Sequence, residues 1–408
     1  MAWFHKTGGV HVATRHPHLT PAFQTHKAVV RTRHEHPYEH RHPSDNEDDN
    51  HVVDVDNTNT TAGARDPAAI SIPLRIAHNG SVTALAYSPD GRYAASGSED
   101  TTVIIWNVPQ ERTMHKFTQH GDTVSALAFS HDNQLLASGS SDKHIILWTV
   151  ATGHEFKRLE LEVSVHSIAF SPDGAKLIAG AYDGSLWVWN TAAYDVPLKI
   201  SKHVAVVTFI VFSADGSRMA TGGTESTCCV WDTATLANME PLSVLHGHRG
   251  MVCYAAFAPD GDRIVTASDD GSSRVWKCGS GEALVLLHEH GGPVWSVAFS
   301  PDGKRVASGS SDSTVKVCDS YSGDRLLSLE GHESMINVVR FSSDGRYIAS
   351  AASDGTVRLW DTGDGSLVAT YNEHSDNVTT VQFSPDSSTL ASGSHDGTVR
   401  IRQIVVIP

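Results

Sequence analysis

The sequence predicts an all-β protein built from eight copies of one small antiparallel sheet. One motif recurs at intervals of 41 residues (Trp148 to Trp189) to 45 residues (Trp231 to Trp276). Within each copy the apolar residues alternate with a period of two, which is the period of a strand and not of a helix. Glycine-containing turns separate these runs. The second copy carries the whole motif: His120, Val124, Phe129, Ser138, Asp142 and Trp148.

Aligning the copies on their tryptophan shows a regular array. The aligned positions are Trp106, Trp148, Trp189, Trp231, Trp276, Cys318, Trp360 and Arg402. A repeat of this length is typical of a four-stranded propeller blade. In the seventh copy we expect strands near Ile336–Phe341, Tyr347–Ala351, Val357–Trp360 and Leu367–Tyr371, joined by short turns such as Ser343-Asp344-Gly345.

The last copy ends with its third strand, near Val399–Ile404, and so lacks a fourth. The apolar segment 69–76 precedes the first copy, and we assign it as the missing strand. Pairing the two segments would close the ring and cover its last exposed edge. The prediction is one eight-bladed β-propeller over residues 68–408.

The recurrence resembles that of the WD-repeat (WD40) β-propeller family over the chain from about Ala69 onward. Only Trp231-Asp232 and Trp360-Asp361 keep the literal Trp-Asp pair, but the spacing is regular. The resemblance implies a buried His–Ser/Thr–Asp–Trp tetrad that braces each blade. The matching sets are His78, Ser96, Asp100 and Trp106; His120, Ser138, Asp142 and Trp148; His248, Thr266, Asp270 and Trp276; and His332, Ser350, Asp354 and Trp360.

Four copies depart from this tetrad. The third has Leu161 and Ala179 in place of His and Ser, so we expect its blade to be the least stable. The fourth has Glu225 for Asp, the sixth has Cys318 for Trp, and the eighth has Arg402 for Trp.

The recurring His, Ser and Asp could be mistaken for a hydrolase triad. A catalytic set occurs once in a chain, whereas this one recurs in most copies and is interpreted as bracing. No nucleophile elbow, dinucleotide fingerprint or phosphate loop is found. We therefore expect no enzymatic activity, no cofactor and no metal site in the repeats.

Composition limits the partners and the compartment. A net charge of −15 and a pI near 5.9 disfavour nucleic acid and anionic membranes and favour basic partners. The five cysteines match no disulfide or zinc framework, which indicates reduced thiols filling blade cores. Lacking a long apolar run, the chain is expected in the cytoplasm, the nucleus or both.

Residues 1–67 differ from the repeats. They hold ten of the 25 histidines and few apolar residues, so we predict a disordered tail. The His-x-His pairs, such as His34 and His36, could bind Zn²⁺, Ni²⁺ or Cu²⁺. The alternatives are a polar tail without specific affinity and translated sequence that is absent from the mature message.

The remaining chemistry is recognition at the loops that carry the His and the Asp. Rim positions with anionic, aromatic or Met side chains are the candidate contacts. They are Glu99, His166, Tyr182, Met251, Asp269, Trp295, Met335 and His395. The favoured function is a scaffold for partner proteins, with one propeller acting as a monomer inside a larger complex.

Two alternative functions stay open. The first is a reader of basic or modified peptides, for example a histone tail. The second is a ubiquitin-ligase substrate receptor. The latter is disfavoured because Thr233-Ala234 and Thr362-Gly363, which follow the two Trp-Asp pairs, lack the arginine of such receptors.

Overall fold

The computed structural model describes residues 78–287 and 290–404. These residues form eight antiparallel sheets, numbered here as blades 1 to 8, and the eight-bladed all-β prediction is confirmed. Blades 1 to 4 comprise β1 (Val82–Tyr87), β2 (Tyr93–Ser98), β3 (Val103–Asn107) and β4 (Arg112–Phe117); β5 (Val124–Phe129), β6 (Leu135–Ser140), β7 (His144–Thr149) and β8 (Glu155–Glu160); β9 (Val165–Phe170), β10 (Lys176–Ala181), β11 (Ser185–Asn190) and β12 (Leu198–Ser201); and β13 (Val207–Phe212), β14 (Arg218–Gly223), β15 (Cys228–Asp232) and β16 (Ser243–Leu245).

Blades 5 to 8 follow the same plan. They comprise β17 (Val252–Phe257), β18 (Arg263–Ser268), β19 (Ser273–Lys277) and β20 (Ala283–Leu287); β21 (Val294–Phe299), β22 (Arg305–Ser310), β23 (Val315–Asp319) and β24 (Arg325–Leu329); β25 (Ile336–Phe341), β26 (Tyr347–Ala352), β27 (Val357–Asp361) and β28 (Leu367–Tyr371); and β29 (Val378–Phe383), β30 (Thr389–Ser394) and β31 (Val399–Gln403). A 3₁₀ turn at Leu236–Asn238 lies between β15 and β16.

Each blade forms because alternate residues of its strands face its two neighbours. The four strands of blade 7 agree with the sequence prediction to within one residue. The first hairpin turn is fixed by local hydrogen bonds, as in blade 1. There the Ser88 Oγ donates to Asp90 Oδ1 at 2.6 Å, and Gly91 takes a φ of 71°, which favours glycine.

Blades pack closely because small residues line the second strand. A Cβ added at Gly97 would lie 2.6 Å from Cγ1 of Val124 in the next blade. Gly309 faces Ile336 of blade 7 at the same distance. The glycine of the Ser-Gly-Ser motif therefore permits the contact between neighbouring blades in these repeats.

The ring closes between blade 8 and blade 1. The Thr379 Oγ1 in β29 donates to the Val82 carbonyl oxygen in β1 at 2.8 Å. The His78 N–H donates to the Gly397 carbonyl oxygen at 3.1 Å. The core cluster around Val82 includes Ile401, so the first and last blades share one interior.

Within the described residues, the sheet of blade 8 has three strands and each of the other seven has four. Its third strand ends at Gln403, one residue before the predicted end. Segment 69–76, assigned above as the fourth strand, lies outside the described residues, as does the predicted disordered tail at 1–67. Both remain predictions.

The five cysteines are free thiols in the structure. Cys228, Cys229, Cys278 and Cys318 are buried in blade cores as expected. Cys228 and Cys229 belong to different core clusters, which places them on opposite faces of β15. The prediction of a core position is wrong for Cys253, which is half-buried at the start of β17 for a reason given below.

Candidate functional site at the His and Asp loops

The tetrads are buried chains of hydrogen bonds. In blade 2, His120 Nδ1 lies 2.9 Å from Asp142 Oδ2, and its Nε2 lies 2.8 Å from Ser138 Oγ. The Trp148 indole N–H donates to the same Ser138 Oγ at 2.9 Å. With Nδ1 donating to the carboxylate, Nε2 accepts from the Ser138 hydroxyl. Blades 1, 5 and 7 repeat this arrangement, so the four complete tetrads expected from the sequence form.

The electrostatics of blade 5 show which protonation states the tetrad favours. Burial lowers the pKa of His248, which keeps its imidazole neutral. Burial opposes ionisation of Asp270. Hydrogen bonds from Ser272, the Arg249 N–H and His248 outweigh that effect and hold the Asp270 pKa well below its ordinary value. The pair is therefore a neutral imidazole donating to a carboxylate.

Burial also decides against catalysis by these groups. The tetrad hydroxyls of Ser96, Ser138, Thr266 and Ser350 have no exposed surface. A nucleophile needs access to its substrate, so the Ser–His–Asp geometry of the blades serves as bracing.

Three of the four departing blades keep the His–hydroxyl–acid chain. In blade 4 the longer Glu225 accepts from His203. In blade 6 His290 contacts both Asp312 and Ser308, and Cys318 occupies the tryptophan site. These substitutions change one member of each network and leave the rest in place.

Blade 8 replaces the indole with a guanidinium. Arg402 has no exposed surface, and its Nη1 donates to Ser392 Oγ at 3.1 Å, where tryptophan donates in other blades. Its charge is balanced by Glu373 at 3.1 Å and by the Tyr371 ring at 4.7 Å from the guanidinium carbon. The buried cation thus has a counterion and a donor role.

Blade 3 lacks the tetrad, as expected, and has a different network. The Trp187 indole N–H donates to Ser185 Oγ at 2.9 Å, and the Ser185 hydroxyl donates to Asp183 at 2.5 Å. Lys199 lies over the Trp187 ring, 4.6 Å from its centroid. Leu161 is buried where the histidine would lie.

The loops that carry the His and the Asp meet on one side of the ring, called here the His–Asp rim. The backbone joins them: in blade 5 the Asp269 N–H donates to the Met251 carbonyl oxygen, and in blade 7 the Ser353 N–H donates to Met335. The register of the first two strands shifts in every blade at the start of the first strand. The shift leaves one residue per blade in a bulge: Thr83, Ser125, His166, Thr208, Cys253, Trp295, Asn337 and Thr379.

The bulged side chains differ in what they contact. Where they carry a hydroxyl in blades 1, 2 and 8, that hydroxyl donates to a carbonyl oxygen of the next blade. In blades 6 and 7 the bulged side chain contacts the residue before the tetrad acid. The Trp295 indole N–H donates to Ser311 at 2.7 Å. Asn337 donates to Ser353 at 3.2 Å and also to the Val378 carbonyl oxygen of blade 8 at 2.9 Å. The bulge explains why Cys253 lies at the rim and not in a core.

The structure places the eight candidate contact residues on this rim. Glu99 is exposed, and the other seven are half-buried: His166, Tyr182, Met251, Asp269, Trp295, Met335 and His395. The ring centroids of His166 and Tyr182 lie 5.3 Å apart, so these two candidates contact each other in blade 3. Trp295 is tied to Ser311, and Met335 pairs through its backbone with Ser353.

Two of these candidates carry an unpaired polar atom. In the described part of the chain, the buried His166 Nδ1 and Asp269 Oδ1 have no hydrogen-bond partner. Burial lowers the pKa of His166 and raises the pKa of Asp269. Such atoms are rare in folded proteins and mark sites that call for a further explanation.

Sequence reasoning missed a cluster that spans three blades. Arg340 of blade 7 donates to Ser296 of blade 6 at 3.2 Å and to the Tyr254 hydroxyl of blade 5 at 3.3 Å. The guanidinium also lies 4.9 Å from the centroid of the Tyr254 ring. All three are on first strands, and no sequence spacing indicates that they meet.

Two features of the described residues bear on other functions. Over 78–287 and 290–404, no three His, Cys, Asp or Glu side chains are grouped to hold a metal ion. No helix in those ranges is long and apolar enough to cross a membrane.

Comparisons with known proteins agree with this architecture. The family model described as WD domain, G-beta repeat, matches eight segments: 71–107, 111–149, 151–190, 196–232, 239–277, 281–319, 323–361 and 365–402. Protein HIR1 of Yarrowia lipolytica is 38% identical over 61 residues, 15% of this chain and 6% of that protein. The WD repeat domain-containing protein 83 homolog of Dictyostelium discoideum is 43% identical over 44 residues, 11% of this chain and 14% of that protein. The chain thus spans a small part of the length of both relatives.

Two solved structures are similar over most of the chain. The computationally designed Ika8 protein has 30% identity and a TM-score of 0.71, covering 80% of this chain and 98% of the designed one. Chaetomium thermophilum Sqt1, solved bound to the N-terminus of the ribosomal protein L10, has 22% identity and a TM-score of 0.74 with the same coverage. At that identity the likeness to Sqt1 concerns the fold alone.

Proposed function

The chain belongs to the WD-repeat family, and from this premise we propose that it is a non-catalytic scaffold whose His–Asp rim binds partner proteins or peptides. The observation that carries the proposal is the unpaired polar atoms of His166 and Asp269 on that rim. A buried group without a partner costs about 1–3 kcal/mol. A bound partner that supplies the missing hydrogen bonds would recover this energy.

Geometry supports the rim over the rest of the surface. In blades 3, 6 and 7 the bulged side chain contacts the loop residue that precedes the tetrad acid. The aromatic residues there, Tyr182 and Trp295, are held by His166 and Ser311, so little entropy is lost when a partner packs on them.

The partner class follows from charge. A net charge of −15 favours a basic protein segment over nucleic acid or an anionic membrane. The Sqt1 structure is an example of this fold holding the terminus of another protein. We propose that this chain likewise binds a protein segment, as a single propeller in a larger intracellular complex.

The experiment is affinity purification with a matched pair of double variants. Tyr182→Ala with Trp295→Ala removes two rim aromatics. Phe156→Ala with Tyr321→Ala removes two aromatics that are 57% and 64% exposed and lie in the outer strand β8 and the β23–β24 loop. We expect the first pair to lose the partners that the wild type and the second pair retain. Equal capture by both pairs, with circular dichroism showing intact folds, would contradict the rim as the binding site.

The second candidate function is a reader of basic or modified peptides, such as histone tails. The carboxylate of Asp269 favours it, because its Oδ1 has no hydrogen-bond partner among the described residues. Histone-peptide arrays separate this function from a scaffold that recognises folded surfaces.

A further inference from the structure

Asp269 differs from the residues at the same position in other blades. This position directly precedes the tetrad acid, and its side chain contacts the bulged residue in blades 3, 6 and 7. In blade 5 the bulged residue is Cys253, whose thiol donates to the Met251 carbonyl oxygen at 3.8 Å. Asp269 Oδ1 is therefore left buried with no partner among the described residues.

The surroundings of Asp269 hold one oxygen of its carboxylate, Oδ1, away from water. A Cβ added at Gly250 would lie 1.7 Å from Asp269 Oδ1, so the carboxylate lies directly against that glycine. Burial raises the Asp269 pKa, the Met251 backbone N–H offsets this in part, and the neighbouring Asp270 charge adds to the rise. The residue as a whole is only half-buried, so the outer part of its carboxylate can still reach a ligand.

A cationic side chain is the ligand group that would best stabilise the ionised carboxylate of Asp269, which burial and the Asp270 charge destabilise. A carboxylate that has already lost part of its hydration loses less on pairing than a fully solvated one, and charge-assisted hydrogen bonds are about twice as strong as neutral ones. Met251 beside it is half-buried and offers an apolar surface for the stem of a lysine or arginine. The exposed Arg249 on the same loop forms no ion pair with it in the described chain.

Glu99 provides the contrast within the same protein. It occupies the equivalent position in blade 1, where it is exposed and solvated. An ion pair at such a surface site contributes only about 0–1 kcal/mol. Of the two acidic rim candidates, Asp269 is therefore the one whose environment favours a strong ion pair with a ligand.

We propose that Asp269 anchors one lysine or arginine side chain of a partner segment lying across blade 5 on the His–Asp rim. This inference rests on the proposed function and narrows it to one residue and one class of side chain. Met251 contacts the aliphatic stem, and Asp269 accepts from the ammonium or guanidinium group.

The test uses the full chain and pools of short N-acetylated, C-amidated peptides. The central residue is fixed as lysine, arginine, norleucine or glutamate, and the flanking positions are degenerate. We expect fluorescence anisotropy to give about tenfold tighter binding of the lysine or arginine pool than of the norleucine pool. Asp269→Asn should abolish this preference. Glu99→Gln makes the same charge change at the equivalent position and should keep it.

A second variant distinguishes the loss of a binding contact from misfolding. Asp269→Ser introduces the residue that blades 2, 6 and 7 carry at this position (Ser141, Ser311 and Ser353). We expect it to lose the cationic preference with a melting temperature equal to or above that of the wild type. A lower melting temperature would mean that Asp269 braces the fold, and would overturn the inference.

The outcomes separate this inference from the proposed function. Equal binding of the norleucine pool, or a preference that survives Asp269→Asn, overturns the anchor and leaves rim binding intact. If no pool binds the wild type, the anchor is overturned. If the rim double variant also captures every partner, the proposed function is overturned as well.

Discussion

Replacing His120 with alanine tests whether the tetrads hold the blades together. The imidazole links Asp142 at 2.9 Å to Ser138 at 2.8 Å and is almost fully buried. Its bond to the carboxylate contributes about 1.5–3 kcal/mol and its bond to the hydroxyl about 0.5–1.5 kcal/mol. Asp142 keeps the Gly121 N–H, which limits the loss. We therefore expect a decrease of about 3 kcal/mol in the free energy of unfolding.

The assay is urea unfolding followed by tryptophan fluorescence, because Trp148 belongs to the same network. His131→Ala is the matched control, since His131 is exposed in the same blade and should change stability by less than about 0.5 kcal/mol. Ser138→Ala and the double variant complete a cycle. The double variant should lose less free energy of unfolding than the sum of the two single variants, because each single change already removes the hydrogen bond between His120 and Ser138.

A loss below about 1 kcal/mol for His120→Ala would refute the reasoning, because it would mean that the bond to Asp142 adds little. An additive cycle would refute it as well, since the two residues would then act independently. His120→Leu copies the residue that blade 3 carries, Leu161. It should recover part of the loss by filling the cavity while leaving the polar groups unpaired.

Three further predictions concern pH, local stability and ring closure. Burial lowers the pKa of His374 to about 4, so between about pH 6.5 and pH 4 the unfolded chain binds a proton on this residue that the folded chain does not. The free energy of unfolding should therefore fall as pH decreases across that window, by up to about 3 kcal/mol. A His374→Gln variant whose melting temperature depends on pH as steeply as that of the wild type would contradict this. Amides of β10 in blade 3 should exchange with deuterium faster than those of β6 in blade 2, because blade 3 lacks the histidine network; equal protection would show that the Trp187 network is an adequate substitute. A chain starting at residue 78 should melt below one starting at residue 68, because it lacks the segment assigned to pair with β31; equal melting temperatures would remove that assignment.

Much of the fold could be predicted from the sequence because its signals are local and repeated. The alternation of apolar residues gave the strands of blade 7 to within one residue. The resemblance to the WD-repeat family, which the regular spacing carries, implied the four complete tetrads, as in blade 2. Each of these features depends on residue types at fixed separations, and eight copies make the pattern visible.

The bulges could not be predicted in the same way. A bulge is a property of the register between two strands, and the bulged position accepts residues as different as Thr83, Cys253 and Trp295. The rim could be predicted as a set of positions, but the hydrogen bonds from hydroxyls there to the next blade could not. For the same reason Cys253 was expected in a core.

The substitutions in blades 3 and 8 illustrate a second limit. Trp187 and Lys199 form a replacement network whose parts come from β11 and β12, and no motif joins them. Arg402 occupies an indole site because Glu373 and Tyr371 lie next to it. Such solutions depend on contacts in space that a repeat alignment does not contain.

The bond from Thr379 to Val82 links residues 297 apart in the chain, whereas the equivalent bond from Ser125 to Val165 links residues 40 apart. The two hydrogen bonds have the same geometry, but the chain segment that must close to form the Thr379–Val82 bond is far longer. The entropic cost of closing that segment is therefore larger. Local blades can assemble progressively from any starting copy, while this joint needs all of them in place. The kinetics should therefore be asymmetric: the first opening of the native toroid occurs at this joint, and its formation limits the rate of refolding.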